Sequence, residues 1–186
     1  MPHAPFPNKV VFPVSAELVS FHEAGHAVAA VSFGVLASAM HLFDANTSEP
    51  HGKSTLIWNG DQREAVACGG FAAERYLFDS GRLVDSLGCT IKESDFINFA
   101  IGAHAAEDKI RFFGKDHSLN GYWPVAMDQK FMAVAKMVAG VMRFDVVTAI
   151  AEALLAEKTL SRDQIADLIR TTIGNELFDQ IDWRVE

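Results

Sequence analysis

The chain has few cysteines, no long apolar run and no excess of positive charge, and each shortage excludes a class of protein. Only Cys68 and Cys89 are present, without C-x-x-C spacing, so we expect reduced thiols in a cytoplasmic protein and not a disulfide framework. No apolar run approaches the about 18 residues that cross a bilayer. The formal net charge of −8 argues against partners such as nucleic acid or an anionic membrane surface.

The N-terminal segment is rich in proline and lacks the basic and apolar blocks of a signal peptide. The remaining composition, with 49% hydrophobic residues in 186, is typical of one globular domain. We predict an extended N-terminal arm over 1–14, a helical domain over 15–175 and a C-terminal tail over 176–186.

Hydrophobic periodicity predicts a mainly α fold with a small β element. The predicted helices span about 16–33, 62–78, 91–113, 124–157 (bent near 143–145) and 162–173, and the predicted strands span 40–44 and 54–58. Ser15 is the expected N-cap of the first helix. Thr90-x-x-Glu93 and Ser161-x-x-Gln164 match the capping box that opens many helices.

Residues 22–26 read His-Glu-Ala-Gly-His, an H-E-x-x-H motif inside the first predicted helix. Residues four apart on a helix lie on one face, about one turn apart, so His22 and His26 can direct two imidazoles at one metal ion. Glu23 lies beside them and can hold a water molecule as general base. An amphipathic helix with two hydrogen-bonded histidines is the alternative reading.

A catalytic zinc site needs a third protein ligand and an open position for water. Asp95, in the first turn of the third predicted helix, is the first choice, although a carboxylate at a helix start is also favoured by the helix dipole alone. Glu74, which follows Gly69-Gly70, is the second choice. We expect Glu74 to accept a hydrogen bond from the outer nitrogen of a motif histidine. The alternative is a partly buried carboxylate that pairs with Arg75 or with a lysine.

With these residues in view, the chain resembles the peptidase domain of the FtsH-type ATP-dependent zinc metalloproteases. Residues 21–28 resemble the H-E-A-G-H-A helix of that family, residues 69–74 its G-G-R-x-A-E segment, and Ser94-Asp95 its segment with the aspartate ligand. Residues 149–169 resemble the closing helices of that family, so the resemblance covers most of residues 15–170.

The resemblance implies a zincin-like fold and one Zn²⁺ per chain, bound by His22, His26 and Asp95, with Glu23 as the base. Phe71 stands where the family has arginine, and Lys92-Glu93 replace small residues before the aspartate. Neither the ATPase module nor the membrane anchor of the family is found in this sequence. We therefore expect hydrolysis that is independent of ATP.

The expected substrate is an extended or unfolded polypeptide, since a strand after the motif helix can pair with a peptide along its edge. The residues expected to contact this peptide are Ser54, Thr55, Leu56, Ile57 and Trp58. A plain core hairpin explains the same residues equally well. Two other functions stay open: a regulatory metalloprotein that binds or cuts one specific partner, and a relic whose zinc only stabilises the fold. The sequence also leaves open any partner ATPase or homo-oligomer.

Overall fold

A computed structural model describes residues 9–43, 51–56 and 62–183 of the protein. Within these ranges the chain is mainly helical with a small sheet, as predicted. The helices are α1 (Ala16–Val31), α2 (Arg63–Ala67), α3 (Gly69–Asp79), α4 (Glu93–Phe99), α5 (Ala106–Phe113), α6 (Val125–Ala139), α7 (Phe144–Glu157), α8 (Arg162–Ile173) and α9 (Asn175–Asp179). The strands are β1 (Val10–Val11), β2 (Ala39–Phe43), β3 (His51–Thr55), β4 (Leu83–Val84) and β5 (Thr159–Ser161).

Helix α1 lies at the centre of the fold, between α3 and α7. Its N-terminus is capped as predicted, because the Ser15 side chain accepts a hydrogen bond from the backbone N–H of Leu18 at 3.1 Å. The second half of α1 is buried on nearly every side. A helix that is buried all round needs small residues where a neighbouring backbone comes close, and α1 has them at Ala24, Gly25 and Ala29.

The closest approach is between α1 and the start of α3, where two glycines face each other. A Cβ added to Gly69 would lie 2.5 Å from the carbonyl oxygen of Gly25, and one added to Gly25 would overlap the carbonyl oxygen of Gly69. The two helices therefore pack together through small residues. The predicted helix over 62–78 is instead two helices, α2 and α3, which meet at Cys68 just before the glycine pair.

The third predicted helix is continuous from Glu93 to Phe113 but changes its winding in the middle. Residues Ala100–His104 form a π-helical segment, and the backbone N–H of Ala105 donates to the carbonyl oxygen of Ala100, five residues back. Gly114, with φ of +77°, ends the helix as expected. Thr90 does not cap it, because Lys92 occupies the N-cap position and Thr90 instead bridges to Val84.

The small sheet lies against α1 in the antiparallel order β3-β2-β5. Strands β2 and β3 begin and end within three residues of the predicted strands, and Phe43 and His51 are the last pair of their ladder. Strand β3 is an edge strand among the described residues, since β2 is its one partner there. A separate parallel pair, β1 with β4, ties the N-terminal segment to the domain, with Val10 and Phe12 buried in the core.

The C-terminal third is a set of helices that closes the core. The long predicted helix over 124–157 is divided into α6 and α7 near the expected bend. The capping box of α8 is confirmed, with Ser161 and Gln164 bonded reciprocally. The tail contains the short helix α9, and Phe178 from it is buried. Among the described residues, none of the helices has the length and apolar composition of a membrane crossing.

Candidate metal centre

Helix α1 presents His22 and His26 on one face, one turn apart. Their Nε2 atoms lie 3.1 Å from each other, and the rings meet edge to face. The His26 side chain is buried, and that of His22 keeps 14% of its surface exposed. Both imidazoles therefore point at one spot, with His22 closer to solvent.

Asp108 of α5 brings a carboxylate to the same spot. Its Oδ2 atom lies 3.1 Å from Nε2 of His22 and 3.2 Å from Nε2 of His26. Among the residues that the structure describes, these three form the one cluster of histidine, cysteine or carboxylate side chains that could hold a metal ion.

The outer nitrogens of both histidines are already engaged. Nδ1 of His26 lies 2.8 Å from the carbonyl oxygen of Val66, which can only accept, so Nδ1 donates the proton. Nδ1 of His22 lies 2.8 Å from the Glu74 carboxylate and donates in the same way. In the neutral imidazoles these bonds leave a lone pair on each Nε2, directed at the cluster.

The Nε2 atoms of His22 and His26 and the Oδ2 atom of Asp108 thus converge at the centre of the cluster. Oδ2 of Asp108 is buried and makes no hydrogen bond of good geometry there. A metal ion held between the three atoms would balance the negative charge of Asp108. Zinc bonds of about 2.0–2.1 Å at tetrahedral angles place ligand atoms roughly 3.3 Å apart, close to the separations seen here. The residues present could therefore hold a metal ion of this size, such as zinc.

The other oxygen of Asp108 is held from the opposite side. Arg111, one turn later on α5, donates from Nη1 to Oδ1 of Asp108 at 3.2 Å. The carboxylate therefore offers one oxygen to the centre and keeps the other on a guanidinium. This arrangement predicts a single bond from Asp108 to a metal ion.

Without a cation the cluster is a set of buried, coupled charges. Burial by itself lowers the pKa of His22, but the hydrogen bonds and charges of Asp108 and Glu74 outweigh it and raise this pKa well above its usual value. Burial by itself raises the pKa of Asp108, and the neighbouring His26 and His22 hold it far below its usual value. The site is therefore built to hold positive charge, as a proton on His22 or as a metal ion.

Glu74 lies behind the cluster as a shared hydrogen-bond acceptor. It is fully buried on α3, and its Oε1 accepts from Nδ1 of His22 at 2.8 Å and from Nδ1 of His104 at 3.0 Å. Gly70, one turn earlier, leaves room for the His22 ring, which a Cβ at this position would overlap. The hydrogen bond expected between Glu74 and a motif histidine is thus present.

Glu23 lies at the edge of the cluster, half-buried, in a cleft of about 710 Å³. The cleft is also lined by His22, Asp108, Glu74, His104 and Arg111. The Glu23 carboxylate accepts a hydrogen bond from the Ser54 hydroxyl at 2.7 Å. It is therefore placed beside the ligands and is not one of them.

The structure does not bring Asp95 to the histidines, so the expected ligand set must be corrected. Asp95 is exposed in the first turn of α4, where the Ser94 hydroxyl donates to it at 3.3 Å. A carboxylate is favourable there through the helix dipole alone, which is the alternative considered from the sequence. Asp108, thirteen positions further along the same helical stretch, occupies the place that Asp95 was expected to fill.

His104 and Arg111 also line the cleft, and neither was predicted from the sequence. Of the residues expected to contact substrate, Ser54, Thr55 and Leu56 line a pocket together with Glu23 and His26. Ser54 contacts Glu23, Thr55 lies in the sheet opposite Ala39, and Leu56 packs against the core. Ile57 and Trp58, the other residues expected to line a substrate, lie outside the described residues.

The sequence matches no model of a known protein family, and no curated protein sequence matches it either. The likeness to FtsH-type peptidases therefore rests on the motif residues themselves. Of these, His22, Glu23 and Glu74 line one cleft, and His26 contacts His22 beside it. Asp95 is not part of this cluster.

Proposed function

We propose that this protein is a zinc-dependent peptidase of zincin-like fold that hydrolyses extended polypeptide without ATP. The observation that carries the proposal is the convergence of His22 Nε2, His26 Nε2 and Asp108 Oδ2 within 3.2 Å of one another, beside a carboxylate that is not a ligand. Two imidazoles and one carboxylate with an open fourth position are the donor set of a catalytic zinc site. Imidazole nitrogens favour zinc over calcium or magnesium, which prefer oxygen ligands.

A zinc ion held by His22, His26 and Asp108 would supply two effects: it would lower the pKa of a water molecule towards about 7, and it would polarise a substrate carbonyl group. Glu23 is the residue in reach to accept the proton from that water as the new C–O bond forms. The same carboxyl then passes the proton to the amide nitrogen as the C–N bond breaks. Glu74 and the Val66 carbonyl keep His22 and His26 in one tautomer, so that the ligand atoms stay aimed at the centre throughout.

The edge of β3 supplies a way to hold the substrate. His51, Gly52, Lys53 and Ser54 of this strand line the same cleft as His22 and Glu23. An extended peptide that adds to the edge as a further strand gains backbone hydrogen bonds without regard to its sequence, and it places its carbonyl groups along the cleft. The proposed substrate class is therefore unfolded chain or exposed loop. Both cysteines are free thiols, which suits the cytoplasmic location expected from the sequence.

The test compares wild type with Glu23→Gln on a casein-like unfolded chain, after both proteins are loaded with zinc and their metal content is measured. Glu23 does not bind the ion, so the variant should keep one zinc per chain and lose hydrolysis. Equal cleavage by the two proteins would assign the activity to a contaminant. Zinc binding without cleavage by wild type would instead favour a regulatory metalloprotein that acts on one specific partner.

A further inference from the structure

We infer that Ser54 of β3 is the residue that positions Glu23 for proton transfer, an inference that rests on the proposed peptidase function. The sequence placed Ser54 among residues that contact substrate. In the structure Ser54 lines the cleft, and its hydroxyl group contacts the carboxylate of the proposed general base. The Ser54 Oγ atom lies 2.7 Å from Oε2 of Glu23, within the range of a charge-assisted hydrogen bond.

The strand is shaped for this contact at two positions on one face. Residues two apart on a strand point to the same side, so Gly52 and Ser54 both face α1. A Cβ added to Gly52 would lie 2.5 Å from Cγ of Glu23, so this glycine admits the stem of the glutamate. Ser54 then holds its carboxylate. Strand β3 thus restricts the Glu23 side chain at both its methylene stem and its head.

Ser54 has a partner in both protonation states of Glu23. Its oxygen also lies 3.1 Å from the main-chain carbonyl oxygen of Glu23, a second acceptor for the one hydroxyl proton. While Glu23 is ionised, the hydroxyl donates to the carboxylate. Once Glu23 has taken the proton from the attacking water, the hydroxyl proton can rotate to the main-chain carbonyl. The hydroxyl oxygen then accepts from the carboxylic acid. No other proton is needed, and the carboxyl keeps its place between the two transfers.

The contact also links substrate binding to the base. Ser54 belongs to the edge strand along which the proposed peptide would lie, so a peptide that orders β3 also orders the residue that holds Glu23. The hydrogen bond matters for the step in which Glu23 moves a proton, and it makes no contact with the ligands. Its loss should therefore lower kcat more than it changes KM.

The test uses a matched pair of variants at this position. Ser54→Thr keeps the hydroxyl, and Ser54→Val has the same shape as the threonine variant without it. Both are β-branched residues that suit a strand. The control is Ser38→Ala, which removes a hydroxyl bonded at 3.1 Å to the main-chain oxygen of Thr55 and so weakens the same strand without touching Glu23. For each protein we would measure kcat, KM, zinc content, melting temperature and the crystallographic position of the Glu23 carboxylate.

We expect Ser54→Val to lose roughly tenfold or more in kcat, since a hydrogen bond to a charged group is worth about 1.5–3 kcal/mol. Zinc content should be unchanged, KM should stay within about twofold, and the Glu23 carboxylate should be displaced. Ser54→Thr and Ser38→Ala should stay close to wild type in all of these measurements.

Three results would overturn the inference. Equal kcat in Ser54→Val and Ser54→Thr, with Glu23→Gln inactive, would show that the hydroxyl has no such role while leaving the proposed peptidase intact. A loss of kcat in Ser38→Ala that equals the loss in Ser54→Val would reduce Ser54 to a residue that stabilises the strand. An absence of any hydrolysis that depends on Glu23 in wild type would overturn the proposed function, and the role of Ser54 with it.

Discussion

Oδ2 of Asp108 lies 3.2 Å from Nε2 of His26, a contact that joins the motif helix α1 to α5. The same oxygen lies 3.1 Å from Nε2 of His22 and has no hydrogen bond of good geometry among the described residues. A buried carboxylate oxygen that faces two imidazole nitrogens is an arrangement that could hold a metal ion.

The first prediction follows from that contact. Asp108→Asn should weaken zinc binding by more than the roughly 10–100-fold that is typical of residues behind a ligand. Asp95→Asn, which makes the same change on the exposed first turn of α4, should bind zinc like wild type. Competition with a chelator measures both affinities. The reverse ranking would restore the ligand set that the sequence alone indicated and would contradict the geometry of the cluster.

The third candidate ligand is Asp108 and not Asp95 because of a change in helix winding that the sequence pattern does not show. Phe96 and Ala100 are buried. If the helix were a regular α-helix, positions 103 and 107 would lie on the same face and would also point at the protein core. The π-helical turn contains one extra residue. It therefore rotates the side chains of the residues that follow it by about 100° around the helix axis. Ala103 and Glu107 are therefore exposed, and His104 and Asp108 face the histidines. Hydrophobic periodicity cannot show a local change of winding, so the third ligand could not be placed from it.

One signal of Asp108 was nevertheless in the sequence. Ile101, Ala105 and Phe112 follow helical spacing and are all buried, and Asp108 stands in the same row. A single carboxylate on an apolar helix face needs a partner. Some features could be predicted because they depend on local spacing or on one pair of helices. They are the caps at Ser15 and Ser161, the motif helix and the contact of Glu74 with a histidine. The approach of α5 to α1 depends on the whole fold and could not be predicted in this way.

Glu74→Gln gives the second prediction. The amide keeps the shape of the side chain but loses the negative charge that fixes His22 and His104 through their Nδ1 protons. Zinc affinity should fall roughly 10–100-fold. Glu64→Gln is the matched control, since Glu64 is a half-exposed carboxylate paired with Lys130 on the surface. If the two variants bound zinc equally well, Glu74 would be a buried charge without influence on the site.

The third prediction concerns space around His22. Gly70→Ala places a methyl group on the imidazole ring, so it should lower both zinc affinity and stability, the latter by about 1–3 kcal/mol as overpacked sites do. Gly102→Ala, where a methyl group meets nothing within 4 Å, should be neutral or stabilising, as alanine generally is in helices. Thermal unfolding with excess zinc separates the two. Equal melting temperatures would mean that the histidine ring moves aside at no cost.

Metal removal gives the fourth prediction. If zinc binds the folded cluster, it should stabilise the fold by an amount that grows with the zinc concentration, about 2.7 kcal/mol at one hundred times Kd. The melting temperature should fall when a chelator removes zinc and recover when zinc is restored. Magnesium should not substitute, because it prefers oxygen ligands and keeps its waters. The shift should be largely absent in Asp108→Asn. A magnesium response as strong as the zinc response would argue against a site built on two imidazoles.

The last prediction concerns the energy available for cleavage. The proposed site needs the substrate backbone laid along β3 in extended form. A domain with 5 kcal/mol of stability is unfolded in only about one molecule in several thousand, so it should be cut slower than an unfolded chain by a comparable factor.

The measurement uses one cleavable segment presented in a casein-like chain and within a stably folded domain, with and without ATP. Glu23→Gln serves as the blank. Cleavage should be fast in the unfolded chain, slow in the folded one and unaffected by ATP. A substitution that destabilises the folded substrate should raise its cleavage rate in proportion to its unfolded fraction. Equal rates on both substrates, or a requirement for ATP, would mean that the peptide reaches the metal centre by a route other than the free edge of β3.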